Sequence, residues 1–151
     1  MLFTFIVMSM KTMNQIEFPI LRINSKSWKD QEDLIPLFDG YIYTSSDQVY
    51  YDYVHEKEFA DCKGDIYKVT GRVFPVSFWR RLFRFLPNVY KVKLIFIETG
   101  RKIELVDFKT DLIAGIKRFD TTDTVETSNK WIAEIQQSKS IKEILMSESD
   151  L

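Results

Sequence analysis

The sequence is poor in the residues from which most small metal, redox and phosphate sites are built. It holds one cysteine, one histidine and five glycines among 151 residues. A lone Cys62 excludes an intrachain disulfide framework and any multi-cysteine zinc site. A lone His55 excludes a histidine-rich metal centre and every two-histidine motif, HExxH included. The glycines stand at positions 40, 64, 71, 100 and 115, too scattered to form a phosphate-cradling loop. No G-x-S-x-G elbow is present, which removes the usual frame for serine hydrolysis. Charge of one sign is lacking too: 21 Lys+Arg stand against 22 Asp+Glu, a formal net charge of −1. These absences point to no cofactor and no resident metal, and they favour binding over catalysis.

Apolar and aromatic residues are plentiful. Hydrophobic residues make up 45% and aromatics 15%, with 12 Phe, 7 Tyr and 3 Trp. That composition buries a sizeable core and excludes disorder over most of the chain. Neither a repeat nor a linker interrupts it, so one domain over residues 14–146 is expected. Residues 147–151 are expected to form a mobile tail. Met1–Met8 is apolar, but a bilayer span needs about 20 apolar residues, and no positive charge leads it as in a secretory signal. Met8, Met10 and Met13 follow closely, which suggests a start at Met10 or Met13 and makes 1–13 an extra N-terminal segment. One unpaired cysteine without a signal places the chain in the cytoplasm.

Alternation of Ile16, Phe18 and Ile20 predicts a strand over Gln15–Ile23, at a sheet edge because Pro19 cannot donate to a ladder. Ser27 reads as the cap of a helix ending near Leu34, before Pro36. Tyr41–Ser45 and Gln48–Val54 read as a hairpin around Ser46-Asp47. Asp65–Val73 reads as a strand, broken or bulged near Gly71. Tyr90 to Ile97 reads as a strand with one wet face in its first half and burial on both faces in its second. Glu98–Arg101 then reads as a hairpin turn into a partner strand over Lys102–Phe108. Helices are expected from Thr110 to Phe119, over Val125–Gln137, and as a short terminal piece or frayed end over Ser140–Met146. The sum is an α+β fold, a mainly antiparallel sheet of about five to seven strands with three to four helices grouped on one face.

Val76–Pro87 is the most informative stretch. At 100° per residue, Val76, Phe78, Trp79, Leu82, Phe83, Phe85 and Leu86 fall on one half of a helical cylinder, with Arg80, Arg81 and Arg84 on the other. Lys91 and Lys93 follow on one face of the next strand. Residues 72–118 hold 11 Lys/Arg and 4 Asp/Glu, a net of +7, whereas the two flanks carry −4 each. Near-neutrality therefore describes the total and not the surface. Arg80, Arg81, Arg84, Lys91 and Lys93 form the expected partner-binding set, and an acidic protein is the expected partner. Nucleic acid and an anionic membrane surface are the other polyanions that such a pattern admits.

Two weaker patterns concern chemistry. Tyr50–Cys62 gathers Asp52, His55, Glu56, Glu58, Asp61 and Cys62, where His55 is a candidate general base and Cys62 with His55 a nucleophile–base pair. Val106-Asp-Phe-Lys109, after Pro87-Asn88, loosely resembles the PD-(D/E)xK nuclease pattern over about 25 residues. That resemblance implies a metal-dependent hydrolase or nuclease using Asp107 and Lys109. Asn88 stands where the pattern has its first acid, so Glu98 would have to replace it. The tyrosines 41, 43, 50, 51 and 53 divide between core and a wet contact surface.

Overall fold

The computed structural model describes residues 15–43, 46–74 and 91–148. Its centre is a five-stranded antiparallel sheet. The strands are β1 (Leu21–Arg22), β2 (Tyr41–Tyr43), β3 (Glu58–Ala60), β4 (Asp65–Val73) and β5 (Lys91–Lys102). They lie side by side in the order β1-β3-β4-β5-β2. Four α-helices accompany them among the described residues: α1 (Asp47–Tyr53), α2 (Leu105–Arg118), α3 (Val125–Gln137) and α4 (Ile141–Glu148). The fold is α+β, as the patterning predicts.

Strand register sorts the side chains onto two faces. Phe59 pairs with Tyr67, Val69 with Phe96, and Ile42 with Val92. Together with Leu94, these form one core with Tyr50 of α1, with Val54 directly after that helix, and with Ile16 and Ile20. On the opposite face Leu21 pairs with Ala60 and Ala60 with Ile66. Those three pack under Phe108, Leu112 and Ile116 of α2, Ile132 and Ile135 of α3, and Ile141, Ile144 and Leu145 of α4. The 3.6-residue spacing of these apolar positions makes each helix amphipathic, so burial holds it to the sheet.

Polar contacts tie the β1 end together. Asp111 of α2 accepts from the backbone N–H of Asn24 (2.8 Å) and Ser25 (2.9 Å). Arg118, two turns on, donates to the carbonyls of Ser25 (2.9 Å) and Lys26 (3.0 Å). The 3-10 turn Ser25–Ser27 is thereby clamped on α2. Arg22 forms an ion pair with Asp33, both buried, and donates to the carbonyl and hydroxyl of Ser27. Asp33 in turn accepts from the Lys29 N–H (2.7 Å).

Several elements differ from the sequence expectation. Only Leu21–Arg22 of Gln15–Ile23 is strand, although it does lie at a sheet edge. The helix expected over 28–34 is a 3-10 turn over Gln31–Leu34, capped by Asp30. The second arm of the expected 41–54 hairpin is helix α1. There the Ser46 hydroxyl accepts from the Val49 N–H, and Tyr50 and Val54 are buried four residues apart. β5 runs on through Glu98–Arg101 instead of turning, with Gly100 at φ 75° inside the strand. Lys102–Phe108 is therefore no partner strand, since α2 begins at Leu105. Asp107 in its first turn and Lys117 and Arg118 in its last complement the helix dipole. Ser147 and Glu148, expected in the tail, complete α4.

Candidate functional site: the uncovered half of the sheet

Helices α2–α4 cover one end of their face of the sheet. That face continues through Lys68 and Ile97 (paired), Gly71 and Ile95 (paired), Val73, Lys93 and Tyr41 in one row, and Lys91 and Tyr43 in the next. No described helix packs on this part. Ile95 is 39%, Ile97 43%, Val73 48% and Tyr43 57% exposed. Burial on both sides of β5 is thus corrected: Val92, Leu94 and Phe96 are buried, whereas Lys91, Lys93, Ile95 and Ile97 face outward.

The local chemistry is cationic and apolar. The Lys91 ammonium sits 4.2 Å from the centre of the Tyr41 ring, a cation–π contact. Tyr43 donates to Asp39 (3.0 Å), and that hydrogen bond holds the phenol pKa above its ordinary value. Glu58, beside Lys68, is engaged by Arg101. Among the described residues no carboxylate lies within ion-pair distance of Lys68, Lys91 or Lys93. Two other cations of the basic middle segment are already occupied. Arg72 pairs with Asp47 (2.8 Å) and stacks on Tyr50, 4.2 Å from its ring centre. Lys109 donates to the Gln136 carbonyl (3.0 Å).

Of the predicted partner-binding set, Lys91 and Lys93 lie together on this strip. Arg80, Arg81 and Arg84 lie outside the described residues, as do the rest of Val76–Pro87 and the possible starts at Met10 and Met13. Lys68, Val73, Ile95 and Ile97 were missed as surface residues.

The candidate catalytic groups are dispersed. Glu98 is in β5, and Asp107 and Lys109 are in α2. His55 follows α1, with its Nδ1 2.9 Å from the Tyr50 hydroxyl and its Nε2 4.0 Å from Glu56. No hydrogen bond or ion pair joins any two of these four. Asp52 pairs with Lys29 (2.7 Å). Asp61 accepts from the N–H groups of Glu17, Lys63 and Asp65, fastening the β3–β4 turn. Cys62 is buried beside that turn and donates to the Pro19 carbonyl, and burial pushes its pKa up to about 11. A thiol in that state is a poor nucleophile near neutrality. Among the described residues no group of three His, Cys, Asp or Glu is placed to hold a metal ion, and no helix is long and apolar enough to cross a membrane. No family model, curated protein sequence or solved structure matches the chain significantly.

Proposed function

We propose that this chain is a cytoplasmic, non-enzymatic binding domain, an adaptor or an inhibitor, that engages an acidic protein partner through the uncovered half of its sheet. One observation carries the reading: Lys68, Lys91 and Lys93 alternate with Ile95, Ile97, Val73 and two tyrosines on one sheet face, with no carboxylate in ion-pair distance of these lysines among the described residues. Apolar groups supply contact area, and the lysines select a partner of opposite charge and speed its approach. Arg80, Arg81 and Arg84 belong to the same reading on sequence alone.

The test is affinity purification from the native host with the full chain and with Lys91→Glu/Lys93→Glu. The wild type is expected to retain an acidic protein, released as salt is raised. The double variant is expected to bind that protein, once purified, about tenfold or more weakly. Recovery of the same partners with both chains would refute the reading.

A further inference from the structure

The face that carries the lysines has a definite size, and that size points to the form of what covers it. From Lys91 to Ile97 β5 advances six residues, about 20 Å at strand rise. The strip spans β4, β5 and β2, three strands and about 10 Å between the outer two. A helix of about 14 residues is about 20 Å long and about 10 Å across. The covered half of the same face sets the precedent, because the helices above it, α2 and α3, are 14 and 13 residues long. Among the described residues no helix lies over this half, which has the dimensions of one further helix in the layer.

We infer that this half takes an amphipathic helix of the acidic partner, with aliphatic side chains on Ile95, Ile97 and Val73 and carboxylates toward Lys68, Lys91 and Lys93. The inference rests on the docking function proposed above and adds the partner's conformation. Charge decides among occupants. A second copy meeting this strip about a twofold axis would set lysine against lysine, and the carboxylates at its borders are engaged, Glu58 by Arg101 and Asp39 by the Tyr43 hydroxyl. An extended segment would add at the edge of β5 beyond Leu94, which β2 leaves open because it pairs only with Lys91–Lys93, and it would then lie beside the lysine face rather than over it. A helix satisfies its own backbone and needs only a face.

Isoleucine-methyl NMR on the full chain tests this, with three synthetic 16-residue peptides. The first has glutamates flanking leucines at i, i+4, i+7 and i+11. The second carries lysine in place of each glutamate. The third is the first peptide with two central residues replaced by proline. The glutamate helix is expected to shift the Ile95 and Ile97 methyls saturably. The lysine version should leave them unmoved, the proline version should bind at least about tenfold more weakly, and Lys91→Glu/Lys93→Glu should lose the response. Equal binding of the proline and helical peptides overturns the helix inference and leaves acidic docking standing. Failure of every acidic peptide to move these methyls overturns both. Contacts to Ile95 and Ile97 in the free chain, from a second copy or from residues 76–87, also overturn the inference by naming another occupant.

Discussion

Two halves of one sheet face carry similar side chains and meet opposite fates. At the β1–β3 end Leu21, Ala60 and Ile66 are buried under three helices. At the β5–β2 end Ile95, Ile97 and Val73 point the same way and keep 39–48% of their surface in solvent. Aliphatic content does not separate the halves. Charged neighbours do, because Lys93 and Lys68 flank the bare isoleucines, whereas the covered residues adjoin other apolar groups. Burial is concentrated in the first half, and among the described residues nothing covers the second.

The largest expected effect comes from removing the cover's own contacts. Leu145 of α4 is fully buried against that end of the sheet. Leu145→Ala deletes three heavy atoms from a packed site and should cost about 2–5 kcal/mol, read as a fall in the urea midpoint at unchanged m-value. Ile97→Ala, a truncation of the same kind on the bare half, should cost less than about 1 kcal/mol. Equal losses at the two positions would abolish the distinction between the halves.

Next in size is the seat of α2. Gly115 faces the Trp28 ring, and a Cβ placed there would lie 2.2 Å from Trp28 Cζ3 and 2.9 Å from the Ser25 Cβ. The Trp28 indole N–H has no acceptor among the described residues, so packing alone holds the ring. Gly115→Ala should therefore destabilise by about 1–3 kcal/mol despite the better helix propensity of alanine. A rise in melting temperature would show that the helix layer is looser than its contacts indicate.

How far the two halves were legible in sequence depends on what covers what. α3 matches the expected Val125–Gln137 because its apolar period is unmixed, and β4 matches Asp65–Val73, with its register shift at Val69/Gly71. α1 was misread because Tyr50 to Val54 suits both periods. What settled it was the Ser46 cap together with the burial of Tyr50 against the sheet. Gly100 resembled a turn because a glycine at positive φ usually makes one, yet here it sits within β5. Burial on both faces of Ile95 and Ile97 was a sound inference from an unbroken apolar run. Whether a second layer reaches a strand is a tertiary fact, and no pattern within the strand records it. Lys91 and Lys93 were legible as a wet pair for the opposite reason: a lysine on a strand face is rarely covered.

A pH scan gives a third contrast. Cys62 packs in the covered core, and its pKa is raised to about 11, from burial first and then from Glu17 and Asp61. A folded-state pKa above the unfolded value means that the neutral thiol's contribution is whole below about pH 9 and is lost as pH rises toward 11. Wild-type melting temperature should fall over that window more steeply than that of Cys62→Ala. At pH 8 the native thiol should resist iodoacetamide and react only in denaturant. Rapid alkylation of native protein would mean that the cover opens.

The smallest expected effect is the most diagnostic. Ile95→Thr with Ile97→Thr keeps β-branched side chains suited to a strand and removes aliphatic surface that water already reaches. Burial free energy scales with area taken out of water, and since each isoleucine keeps 39–43% of its surface in water and threonine keeps the branched Cβ, the double variant should unfold within about 1 kcal/mol of wild type. Partner binding should nevertheless fall with the lost apolar contacts. That dissociation, unchanged stability with weakened docking, separates a recognition face from a core face. A stability loss above about 2 kcal/mol would instead place both isoleucines in a core and make the two halves of the sheet alike.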